Sequence, residues 1–86
     1  MDTTYNGWTN RETWTMNLWL TNDTAYYDLL EDIVHRPGTN EARAVSLERL
    51  LRDMMEDEVQ ASGMWSDALL MVLTSINWVE IVDNNR

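Results

Sequence analysis

The chain has no cysteine, no lysine and no phenylalanine, and its 86 residues include one histidine, one proline and three glycines. Without cysteine there is no disulfide framework and no thiolate to act as ligand or nucleophile, and His35 alone cannot assemble a zinc site. A chain of this length buries only roughly 60 to 65% of its unfolded surface. With no covalent or metal staple, its apolar core must suffice or a partner subunit must extend it. No stretch approaches the ~18 apolar residues of a membrane span, and the opening "MDTTYNGW" lacks the basic and apolar regions of a signal peptide. The expectation is a cytoplasmic protein without a membrane segment.

The missing lysine sharpens the charge balance. Six basic residues, all arginine, face fifteen Asp and Glu, for a formal net charge of -9. A nucleic-acid binder needs Lys and Arg to displace phosphate counterions. Here Arg36, Arg43, Arg49 and Arg52 each lie close to acids in sequence, so direct nucleic-acid binding is disfavoured and a protein with a basic surface is the expected partner. The missing phenylalanine leaves Trp8, Trp14, Trp19, Trp65 and Trp78 to supply much of the large apolar volume of the core.

Periodicity predicts an all-α fold, a single helical domain over 1–86 built as a bundle of four to five short helices. Thr9 to Glu12 reads T-x-x-E, the capping-box arrangement, with Asn10 as the alternative cap. The following "RETWTMNLWLT" is apolar around most of its circumference, which predicts a central position. "TND" at Thr21 to Asp23 offers the cap of a second, amphipathic helix carrying Tyr26, Leu29, Leu30, Ile33 and Val34, stopped by Pro37 and Gly38. Thr39 or Asn40 caps the longest helix, about 41–61, ended by Gly63. Ser66 or Asp67 then caps "DALLMVLTSI", whose apolar run predicts burial. "INWVEIVD" alternates like a strand, yet Asn77 and Glu80 repeat the cap signal and favour a short helix.

Catalytic and metal motifs are missing: no G-x-S-x-G, no H-E-x-x-H, no phosphate-binding glycine loop and no calcium loop. His35 sits where an imidazolium favours a helix C-terminus. The sequence therefore predicts no enzyme, no metal and no cofactor. Its acids divide into those with structural work and those without. Glu48 with Arg52, Arg49 with Asp53 and Arg52 with Glu56 are i,i+4 pairs that can neutralise one another. Asp28, Glu31 and Asp32 share one helix face, where like charges repel. Glu56, Asp57 and Glu58 crowd the negative end of the long helix, against its dipole. Asp28, Glu31, Asp32, Asp57 and Glu58 are thus the candidate partner-binding acids, with Tyr5 and Trp8, if exposed, as aromatic anchors. "YNGWTNRETW" itself reads first as a clamp that fixes the fold: Gly7 permits a turn that lays Trp8 against the first helix.

"YNGWTNRETWTMNLWLTND" resembles a signature, N-G-W-x-N-x-E-T-W followed by an L-W-L-x-N-D-like run, of small uncharacterised proteins of bacteriophages, plasmids and their bacterial hosts. The C-terminal "INWVEIVDN" is similar to the N-W-x-E-I ending of that group. The resemblance implies a mobile-element accessory protein, a setting in which small acidic proteins inhibit defences such as CRISPR or restriction enzymes. It brings no catalytic residue with it. On this reading the acids occupy a basic, nucleic-acid-handling surface of a defence complex, as a DNA mimic does. The alternative is a homodimeric structural or regulatory module assembled by apolar contact through the third or fourth helix, using Met54, Met55, Met64 and Met71.

Overall fold

The computed structural model describes residues 4–59 and 63–86, and these form an all-α bundle of five helices: α1 (Arg11–Asn22), α2 (Thr24–Val34), α3 (Asn40–Val59), α4 (Met64–Ser75) and α5 (Trp78–Asn84). The helices begin where short polar side chains can satisfy free amides. Asn10, in extended conformation, accepts from the Thr13 N–H at 2.9 Å and so caps α1. The Thr9–Glu12 box does not form, because Thr9 is committed to α5 through contacts described below. Asp23 ends one helix and begins the next: its N–H donates to the Trp19 carbonyl, and its carboxylate accepts from the Ala25 and Tyr26 amides. Asp23→Ala leaves both amides without that acceptor and should cost about 1 kcal/mol, or roughly 4 to 8 °C in melting temperature. Thermal denaturation against Asp23→Asn, which keeps an accepting oxygen, checks this.

At the end of α2 the Nδ1–H of His35 donates to the Glu31 carbonyl at 2.8 Å, which also accepts the His35 backbone N–H at 3.3 Å, so the ring adds a second bond to the last turn. Gly38, at φ 119°, turns the chain, and Thr39 Oγ1 accepts from the Ala42 N–H to cap α3. The expected end of α3 at Ala61 lies outside the described residues. Gly63 stands at the start of α4, where φ 62° and its carbonyl's bond to the Asp67 N–H set the first turn. Neither Ser66 nor Asp67 is the cap, because α4 begins before them; Asp67 instead lies in the first turn, where the dipole favours a carboxylate. Asn77 Oδ1 accepts from the Glu80 N–H, and the C-terminal segment is helical, as its cap signal predicts.

The core is mainly aliphatic. Leu20 from α1, Leu30, Ile33 and Val34 from α2, Ala44 and Leu47 from α3, Leu73 and Ile76 from α4 and its exit, and Trp78, Ile81 and Val82 from α5 form one buried cluster. The seven-residue α5 packs most extensively against α3 and also against α1. Only Trp78 among the tryptophans is buried, with its Nε1–H donating to the Leu73 carbonyl at 3.0 Å. The expectation that the five tryptophans supply much of the core's volume is therefore corrected: Trp8 packs against the cluster, while Trp19 and Trp65 are exposed. The central position expected of α1 is corrected as well, since α1 buries Thr13 and Leu20 but exposes Leu18 and Trp19. Five short helices do not enclose every apolar side they carry.

Candidate interaction surfaces

The two stretches that carry the family resemblance meet in space. Thr13 is fully buried, and its hydroxyl donates to Asn10 Oδ1 at 2.6 Å while accepting from the Asn77 N–H at 2.8 Å. Around it, the Thr9 N–H donates to Glu80 Oε1 at 3.0 Å, Asn77 Nδ2 donates to Thr9 Oγ1 at 3.1 Å, and Asn10 Nδ2 donates to the Ser75 carbonyl at 2.7 Å. Asn85 Nδ2 reaches Asn17 Oδ1 at 2.7 Å one turn further on. This network ties the start of α1 to both ends of the α4–α5 junction and satisfies the backbone there. Thr13 is its buried centre, and a buried hydroxyl that both donates and accepts helps to specify one packing. "NGWTNRETW" and "INWVE" thus form an interlock between chain ends.

Tyr5 and Trp8 belong to the same device. Asn6 and Gly7 both have positive φ, 49° and 85°, the pattern of a type I′ hairpin turn, and Tyr5 and Trp8 exchange two backbone hydrogen bonds of 2.8 Å. Trp8 is half-buried against the core. The half-buried Tyr5 ring meets Trp14 edge-on at 5.1 Å between centroids and lies under the Arg11 guanidinium at 5.9 Å. Neither ring projects as a free anchor.

The five candidate acids do not converge. On α2, Asp32 pairs with Arg36 at 2.8 Å and Glu31 lies 3.5 Å from His35 Nδ1, while Asp28 is exposed. Glu31 also holds the Tyr27 phenol above its ordinary range, first by a hydrogen bond with the carboxylate and then by its charge. Asp57 and Glu58 are exposed on the last turns of α3, and no ion pair among the described residues includes them. Arg36 lies against Arg43 near the start of α3, its carbonyl 2.7 Å from Arg43 Nε. Fourteen residues separate Arg43 from Asp57, about 21 Å of helix rise, so the two acidic clusters are not side by side. Of the three ion pairs expected along α3, Glu48–Arg52 forms, at 3.0 Å. Among the described residues no group of three or more His, Cys, Asp or Glu comes together as a metal site.

The exposed feature least expected from the sequence is α4. Met64, Trp65, Met71 and Val72 are 72%, 66%, 73% and 47% exposed, while Leu73 on the opposite side is buried. The expectation that this helix is enclosed is overturned: it is apolar on both sides and covered on one. An apolar concavity of about 350 Å³ lies among Met16, Trp19, Leu20, Tyr26 and Leu51, with Trp19 on its rim at 64% exposure. Of the methionines expected to adapt to a partner, Met64 and Met71 lie outside, whereas Met55 packs against the core. The signal that could have found this surface is the spacing of Met64, Ala68, Met71 and Ser75, examined on the side of α4 away from Leu69, Leu70 and Leu73.

These features define a small helical protein with a locked N- and C-terminal junction and an uncovered apolar helix face. The chain belongs to DUF7249, a family of unknown function whose model matches residues 1–84. No curated protein and no solved structure matches it.

Proposed function

We propose that this protein acts by binding a protein partner, as an interaction module without catalysis, and that the outward face of α4 is its principal contact surface. The observation that carries this reading is the exposure of Met64, Trp65 and Met71 on a helix with one charged residue, Asp67, in twelve. Contiguous exposed apolar side chains of this kind mark interaction sites in soluble proteins, and methionine and tryptophan are adaptable and energetic contributors there. Substituting Met64 and Met71 with glutamate removes the apolar face while leaving the core cluster intact. Capture of partners from bacterial lysates should survive raised salt with the natural sequence and be lost with the double variant. Equal capture by both would overturn the reading.

A second reading follows from Asp57 and Glu58, which are exposed at the end of α3 against its dipole. In it the protein is a mobile-element inhibitor whose acids occupy a basic, nucleic-acid-handling surface of a host defence complex. Asp57→Arg with Glu58→Arg should then weaken partner binding without lowering the melting temperature. Binding should also weaken steeply from low to physiological salt. Binding unchanged by the reversal sinks this version. The reading based on α4 predicts the opposite salt dependence, since apolar contact holds or strengthens as salt rises.

A further inference from the structure

We propose that the outward face of α4 is a self-complementary seam that pairs antiparallel with α4 of a second copy of this chain; the proposal deepens the α4 reading above and rests on it. Met64, Ala68, Met71 and Ser75 follow one another at steps of four, three and four residues, all exposed. This is the spacing that keeps one stripe of a helix facing a partner helix. Trp65 and Val72 flank the stripe on one side, Asp67 and Thr74 on the other. Ser66, Leu69, Leu70 and Leu73 occupy the opposite side, where Leu73 joins the core and Leu70 packs against it. The two faces of α4 thus have separate occupants.

The order of large and small residues favours a second copy. In an antiparallel pair related by a twofold axis, Met71 lies opposite Ala68 and Met64 opposite Ser75, so each large side chain meets a small one. Symmetry repeats each contact. The same helices set parallel would place Met71 on Met71 and Ala68 on Ala68, crowding one layer and leaving the next underfilled. The flanks agree with the antiparallel arrangement: Trp65 lies alongside Val72 of the second copy, and Asp67 lies across from Thr74 rather than from another Asp67. No like charges meet within the seam.

The hydroxyls on this face already have acceptors. Ser75 Oγ donates to the Val72 carbonyl at 2.8 Å, the Thr74 hydroxyl donates to the Leu70 carbonyl at 2.6 Å, and the Ser75 carbonyl accepts from Asn10 Nδ2. Covering them therefore leaves no donor stranded. A twelve-residue helix is about 18 Å long, so α4 alone offers less than the roughly 800 Å² per partner of a standard interface. The pair accordingly belongs with small, transient interfaces. Each chain also carries a net charge of -9, and the resulting repulsion is screened by salt. The dimer should tighten as salt rises.

Sedimentation velocity of the natural chain across micromolar concentrations, at low and at about 0.5 M salt, tests the pairing. The expected result is a monomer–dimer equilibrium shifted toward dimer by salt, with Met71→Glu raising the dissociation constant at least about tenfold. Because the chain has no cysteine, mild oxidation reads the register. Mixing the Ala68→Cys and Met71→Cys single variants should give a covalent pair, whereas Ser75→Cys alone should not, because only a parallel pair brings Ser75 against its own copy. A monomer at every concentration and both salts overturns the second-copy assignment. If lysate capture remains dependent on Met64 and Met71 in that case, the α4 contact reading stands while this inference falls. Salt-strengthened dimers unaffected by Met71→Glu, or cross-linked through Ser75→Cys alone, also overturn it.

Discussion

Trp78→Ala should destabilise the protein by about 3 to 5 kcal/mol, whereas Trp65→Ala should change stability by no more than about 0.5 kcal/mol. The contrast follows from where the two indoles lie. Trp78 is 6% exposed within the core and donates its Nε1–H to the Leu73 carbonyl, so alanine creates a cavity and removes that bond. Trp65 is 66% exposed, and its removal uncovers little. Small domains carry only about 0.05 to 0.15 kcal/mol of stability per residue, roughly 4 to 13 kcal/mol for this chain, so the Trp78 variant should lose a large share of its total stability. Trp78→Phe retains ring volume but not the donor, and should fall between the two. Denaturant titration followed by circular dichroism gives all three values. A Trp65 variant as unstable as the Trp78 variant would mean that α4's outer face is enclosed after all.

Thr13→Val should cost about 1 to 3 kcal/mol, the penalty for leaving a buried polar group unpaired, seen as a loss of roughly 5 to 20 °C in melting temperature. Valine is close to threonine in shape, so the cavity contribution is small and the lost hydroxyl dominates. That hydroxyl is the acceptor for the Asn77 N–H and the donor to Asn10 Oδ1. With it gone, the start of α5 loses its tether to α1. Thr13→Ser keeps both bonds and forfeits one methyl group, about 0.8 kcal/mol of burial. Valine should therefore be the worse replacement, although it is the more apolar of the two. Equal stability of the valine variant and the natural chain would remove the interlock from the explanation of the fold.

The helices were legible because their signals are local. Asp23, Thr39 and Asn77 sit directly before amphipathic or apolar runs and cap α2, α3 and α5. The choice between Thr9 and Asn10 for α1 was not local: Thr9 is held by Glu80 and Asn77, about seventy residues away, which leaves Asn10 to cap. The "YNGW" turn was legible in part, through Gly7, while Asn6 also adopts positive φ and completes the hairpin pattern. Two apolar faces on α4 read from sequence as one buried helix, since periodicity alone does not say how many neighbours a fold supplies. Charge was legible as composition and less so as a surface. Asp32 and Glu31 look surplus in the sequence, but they face Arg36 and His35 one turn later.

The resemblance stretches, so prominent in sequence, serve the junction between chain ends, and the apolar face left exposed lies elsewhere, on α4. The most direct test is affinity capture run side by side with the natural chain, the Met64→Glu/Met71→Glu variant and the Asp57→Arg/Glu58→Arg variant, each first shown to melt at the natural temperature. Partner binding lost only when the methionines are replaced is the predicted result. Binding lost only when the acids are reversed would contradict it and place the contact on α3.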